Sequence, residues 1–123
     1  MAEGLDPAHK LVIQVNSDDP AIQKLALNNA VNVQKHYGMD NVAIEIVAYG
    51  PGLSLMTAGS QEAQRVTSLA AQDITLSACG NTIEGIKRKT GKEPVLLEGV
   101  RVVPAGVVRI MELQEAGWSY LKP

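Results

Sequence analysis

Hydrophobic positions along the chain switch repeatedly between strand-like runs and helix-like spacing, and the switches mark its elements. Residues 10–15 (K-L-V-I-Q-V) form a short β-branched run stopped by Asn16-Ser17-Asp18-Asp19-Pro20. That cluster predicts a helix start, because Ser17, Asp18 or Asp19 can cap and Pro20 suits the first turn. Ile22, Leu25, Ala26, Ala30, Val33 and Tyr37 then recur at three- and four-residue steps, predicting one buried helical face that Gly38 closes. Residues 42–49 (V-A-I-E-I-V-A-Y) are apolar at nearly every position, which predicts a strand covered on both faces. Gly50-Pro51-Gly52 ends it, a helical turn is expected over 53–57, and 60–72 predicts a second helix with Ala63, Val66, Leu69 and Ala70 inward.

Residues 74–79 (I-T-L-S-A-C) predict a third strand, followed by Asn81 as N-cap with Glu84 placed for a capping box. Lys87, Arg88 and Lys89 suit the last turn of that helix, Gly91 stops it, and 92–99 is expected to be a loop. After a strand at 100–103, Pro104 is expected to open a helix that turns Val107, Ile110, Met111 and Gln114 inward and stops at Gly117; 118–121 is the last strand. Strands and helices alternating over short connections predict an α/β protein: a three-layer α/β/α sandwich on a mainly parallel five-stranded sheet. The pattern assigns 10–123 to a single domain and 1–9 to a loose N-terminal arm.

With 123 residues and 46% apolar side chains, the chain can bury a real core. Eleven basic against thirteen acidic residues leave a net charge of −2, which argues against nucleic-acid or anionic-membrane binding. Three Tyr, one Trp and no Phe supply no base-stacking platform. No apolar run approaches the roughly 18 residues of a membrane span, and the opening M-A-E-G-L-D lacks a signal-peptide pattern, so the expected compartment is the cytoplasm.

In a parallel sheet, ligands gather beyond the carboxyl ends of the strands. The loops there are 16–19, 49–54, 79–82 and 104–106. Cys79, the one cysteine, ends a strand at a helix start, where unpaired N–H groups favour a thiolate. By position alone, a nucleophilic or sulfur-carrying thiolate and an inert buried thiol both remain open. Gly80, Asn81 and Thr82 are the candidate donors to an anionic sulfur or ligand, with Asn16, Ser17, Tyr49, Gly50 and Gly52 completing the strip. His9 falls in the arm and His36 at the far end of the first helix, so neither is placed to act as a base, and no metal-ligand spacing exists. Residues 85–92 (G-I-K-R-K-T-G-K) end a helix and carry Glu93 where a phosphate loop requires Ser or Thr. Lys87, Arg88, Lys89 and Lys92 form a basic patch that suits a solvated helix end, and the apolar stretch at 94–97, together with the helix face near Val107 to Met111, suggests a subunit contact.

Taken together, the opening strand, V-A-I-E-I-V-A-Y-G-P-G at 42–52, S-A-C-G-N-T at 77–82, V-P-A-G-V-V-R-I at 103–110, E-L-Q at 112–114 and G-W-S-Y-L-K-P at 117–123 resemble the DsrE/DsrF/YchN-like superfamily of sulfur-relay proteins. The resemblance spans roughly residues 9–123. It implies the same α/β/α fold, a homo-oligomer (trimer or hexamer), and a persulfide carried on Cys79 between donor and acceptor proteins, with no cofactor or metal. The A-C-G-N-T context departs from that of the dedicated relay subunits, so the alternative is a small-ligand-binding or structural oligomeric module of the same fold.

Overall fold

The computed structural model describes residues 7–123. It contains β1 (His9–Val15), α1 (Pro20–Tyr37), β2 (Val42–Ala48), a 3-10 helix (Gly50–Met56), α2 (Ala63–Ala70), β3 (Ile74–Cys79), α3 (Gly80–Thr90), β4 (Val100–Val103), α4 (Gly106–Glu115) and β5 (Ser119–Leu121). The five strands form one sheet in the order β4-β3-β2-β1-β5, and every pair is parallel. This is the three-layer α/β sandwich the alternation predicts. Of the arm expected at 1–9, residues 1–6 lie outside the described residues, and its last residue does not belong to it: His9 pairs with Val42 in the sheet and stacks on Tyr37.

The strand order dictates the layers. From β1 to β4 the chain steps in one direction across the sheet, so right-handed crossovers put α1, α2 and α3 on one face. The return from β4 to β5 runs the other way and puts α4 on the opposite face. The main core lies under the three helices, built from alternate strand residues such as Ile13, Ile44, Ile46, Ile74 and Leu76 with Leu27, Val66 and Ile83. Under α4, a smaller cluster joins Val12 and Val47 to Ile110 and Leu113, flanked by Tyr49 and Trp118.

Several expected details are corrected. On α1 the buried positions are Gln23, Ala26, Leu27 and Ala30, whereas Leu25 and Tyr37 are exposed. Gln23 lies inside because its amide donates to Ser17 O at 3.0 Å and Ser54 Oγ at 2.9 Å. Asp19 is the residue that caps this helix, accepting from the Ala21 N–H at 2.9 Å. On α4, Ile110 and Leu113 face inward, but Val107 and Met111 are 57% and 59% exposed. That helix starts at Gly106 rather than Pro104. The 92–99 loop is pinned: Ala58 N–H donates to Val95 O and Leu97 N–H to Met56 O, both at 2.9 Å, which tucks Leu96 and Leu97 against the core.

Candidate functional site

The carboxyl ends of β1, β2 and β3 meet in one strip because the strands are parallel and in register, with Val15 beside Ala48 and Ala48 beside Ala78. Gly52 makes the first close approach. A Cβ there would lie 2.2 Å from Val15 O, so the chain leaving β2 can cross the end of β1 only as glycine. Gly50, with φ 56°, turns the same segment and donates its N–H to Thr82 Oγ1 at 2.9 Å. Tyr49 packs its ring against Gly106, where a Cβ would come within 3.1 Å of Tyr49 Cβ.

Cys79 is the last residue of β3 and is itself the N-cap of α3, a position the sequence assigns to Asn81. Gly80 begins the helix because the end of β4 leaves no room for a side chain: a Cβ would lie 3.0 Å from Val103 O. Asn81 N–H instead donates to Pro104 O at 3.2 Å, and no capping box forms. The thiol, 5% exposed, therefore occupies the place where a capping oxygen would accept.

Burial pushes the Cys79 thiol up, but the Thr82 hydroxyl and the N–H groups of Gly106, Thr82 and Asn81 outweigh it and hold the thiol below its ordinary range. Thr82 accepts from Gly50, which leaves its own proton free for the sulfur. Gly106 heads α4, so the starts of two helices, one from each side of the sheet, converge on one sulfur. The sequence reading places the α3 start there; it includes 104–106 in the strip but assigns no role to Gly106.

Of the other predicted strip residues, Ser17 Oγ accepts from the Asp19 N–H at 3.0 Å and so shapes the approach to α1. Asn16 lies beside Gly52 at the end of β1. Tyr49 Oη accepts from Gln14 Nε2 at 2.6 Å, and Tyr120 donates to the Gln14 amide oxygen. Thus Gly80, Asn81, Thr82, Gly50 and Tyr49 cluster around the thiol's supports, whereas Ser17 and Gly52 serve the backbone. An apolar cleft of about 680 Å³ opens beside Thr82 and Gly50, walled by Leu53, Ile86 and Val95. Among the described residues no group of three or more His, Cys, Asp or Glu could hold a metal ion, and no helix is long and apolar enough to cross a membrane.

Farther down the same face lies a cluster absent from the sequence reading. Glu45, in mid-β2 and 2% exposed, accepts from Arg109 Nε and Nη2, both at 2.8 Å, and from Ser77 Oγ at 2.9 Å. Arg101 adds longer bonds from β4 at 3.3 Å. Burial raises the carboxyl, yet the Arg109 and Ser77 hydrogen bonds and both guanidinium charges hold it below the usual carboxylate range. The signal was a single charge inside an otherwise apolar strand, V-A-I-E-I-V-A, which requires buried partners of opposite sign.

A parallel α/β sandwich with a thiol at the head of its third helix defines a small single-cysteine protein of the YchN-like fold. The chain is 33% identical to MTH1491 of Methanobacterium thermoautotrophicum, a protein of unknown function, with a TM-score of 0.83 over 94% of this chain and 99% of that one. It belongs to the same family as that protein. YchN of E. coli is 18% identical, with a TM-score of 0.73 over 94% of this chain and 99% of that one. BT1422 of Bacteroides thetaiotaomicron, also of unknown function, is 21% identical, with a TM-score of 0.63 over 93% and 94%. These last two share the fold. No family model and no curated protein matches the chain.

Proposed function

We propose that this protein is a sulfur carrier of the DsrE kind: it holds sulfane sulfur as a persulfide on Cys79 and delivers it to a partner's thiol. The reading rests on one arrangement, a strand-end thiol lowered from its ordinary range, toward its reactive form, by N–H groups from two helix starts and by the Thr82 hydroxyl. The Cys79 thiolate attacks the outer sulfur of a donor persulfide R–S–SH; that S–S bond breaks, R–S⁻ leaves, and Cys79–S–SH forms. An acceptor thiolate then attacks the outer sulfur, leaves with it as its own persulfide and regenerates the Cys79 thiolate. Both steps are thiol exchanges without net oxidation, and they call for no cofactor. Such a thiol functions in a reducing compartment, which favours the cytoplasm. The carrier works as a trimer or hexamer, with the exposed outer side of α4 supplying the apolar contact surface.

Intact-mass measurement after incubation with polysulfide tests the proposal. The expected result is an adduct of one or more sulfur atoms, removed by reductant and missing from Cys79→Ser. A thiol inert to both polysulfide and alkylating agents until the protein is denatured would end the carrier reading.

The apolar cleft of about 680 Å³ beside Thr82 favours a second reading, a module that binds a small apolar ligand without covalent chemistry. Cys79→Ser separates the two, since it would leave such binding intact.

A further inference from the structure

The sequence places Gly106 and Arg109 one helical turn apart, on the same side of α4. The two do different things. Gly106, first in the helix, is brought beside the Cys79 end of β3 by the Cys79–Val103 register and the Asn81 N–H to Pro104 O bond at 3.2 Å, and its N–H is among the groups that favour the thiolate. Arg109 reaches down to the sheet and grips both oxygens of Glu45 at 2.8 Å. That bidentate fork is the one charged tie between α4 and the sheet among the described ion pairs, because Arg101 comes from β4. The apolar seat of α4 is small: Ile110 and Leu113 lie on Val12 and Val47, with Tyr49 and Trp118 packed against them, and near the head Gly106 meets the Tyr49 ring. Room for movement at that head is set on one side by the Tyr49 ring, which Gly106 barely clears.

We propose that the Glu45–Arg109 pair is a positioning device for Cys79: it fixes the first turn of α4 so that the Gly106 N–H stays on the sulfur. Arg109 and Glu45 are positioning residues, touching neither the sulfur nor anything bound to it. The inference rests on the sulfur-carrier reading, in which the thiolate is the working form. A carboxylate buried mid-sheet has a bland explanation, simple stapling of a helix. That explanation predicts changes in stability and none in the thiol.

The thiol's titration separates the two, followed through the ultraviolet absorbance of the thiolate in native protein. Glu45→Gln is decisive because charge and position push in opposite directions. Removing a negative charge from this face would by itself favour the thiolate; releasing the head of α4 disfavours it. The expected result is a midpoint raised by about one unit, so that about tenfold less thiolate forms at neutral pH. Arg109→Lys keeps the charge but loses the fork and is expected to move the midpoint the same way. It also serves where Glu45→Gln leaves buried guanidinium groups unpaired and fails to fold. Arg101→Gln removes a half-exposed, solvent-screened cation from the same carboxylate without touching α4, and is expected to raise the midpoint by much less than Glu45→Gln does. A lowered wild-type midpoint that neither Glu45→Gln nor Arg109→Lys raises overturns the positioning role alone. A wild-type midpoint at the ordinary thiol value overturns this inference and the carrier reading together.

Discussion

Individual glycines carry much of the site's geometry, and they do so for different reasons. At Gly52 the obstacle is contact, since the backbone of β1 stands where a side chain would begin. At Gly50 the obstacle is conformation: φ is 56°, and nothing lies within 4 Å of the missing Cβ. The two should therefore respond unequally to one methyl group. Gly52→Ala is expected to destabilise by about 3 kcal/mol, at the upper end for overpacking, because backbone atoms cannot rotate away. Gly50→Ala is expected to lose about 1 kcal/mol, the cost of a left-handed alanine. Urea midpoints of the two variants check this; equal losses would mean the loop relaxes freely around Gly52. Both glycines are visible in the sequence as turn residues, but their difference is not. It arises from a strand more than thirty residues earlier in the chain.

At the level of elements, strand positions were legible because near-continuous apolar runs admit few other structures. Helix faces were less so. Spacing says that a helix has an apolar side, yet on α4 two apolar sides compete. Ile110 and Leu113 lie on the sheet, while Val107, Val108 and Met111 face out. Only the sheet's own relief decides between them: Gly106 fits against Tyr49, and Arg109 must reach Glu45. Likewise Asn81 is a good cap by residue type, but the strand end delivers Cys79 to the capping position and the tight contact with β4 demands glycine next. Of the two surfaces the sequence offered for a subunit contact, the face near Val107 to Met111 stays exposed on α4, whereas Leu96 and Leu97 pack on the core. Light scattering should find a trimer or hexamer in the wild type. Val107→Lys combined with Met111→Lys is expected to yield monomers that keep the native circular dichroism. A variant that stays assembled would move the interface off α4.

Across the whole molecule, the two faces of the sheet divide the labour. The face under α1, α2 and α3 holds most of the apolar core, whereas the α4 face holds the shifted groups, Cys79 and Glu45. The sequence announced the first face through its periodicity. The second stayed hidden because Glu45, Ser77, Arg101 and Arg109 come from four elements and meet only after folding. Both titrating groups have folded-state values below their unfolded ones, so each adds stability that is complete above its unfolded value and vanishes as pH falls through its folded value. For Glu45 the decline begins near the unfolded carboxyl value of about 4.3 and continues below it. For Cys79 the gain sets in as pH rises through the lowered thiol value and is complete only above the unfolded value of about 8.5. Stability measured by urea unfolding should thus rise twice with pH, once in the acid range and once on the approach to the unfolded thiol value. Glu45→Gln should erase the first rise and Cys79→Ser the second. A Cys79→Ser curve parallel to wild type through the alkaline window would show that the folded thiol is not perturbed. The two helix starts would then be packing against an ordinary buried cysteine.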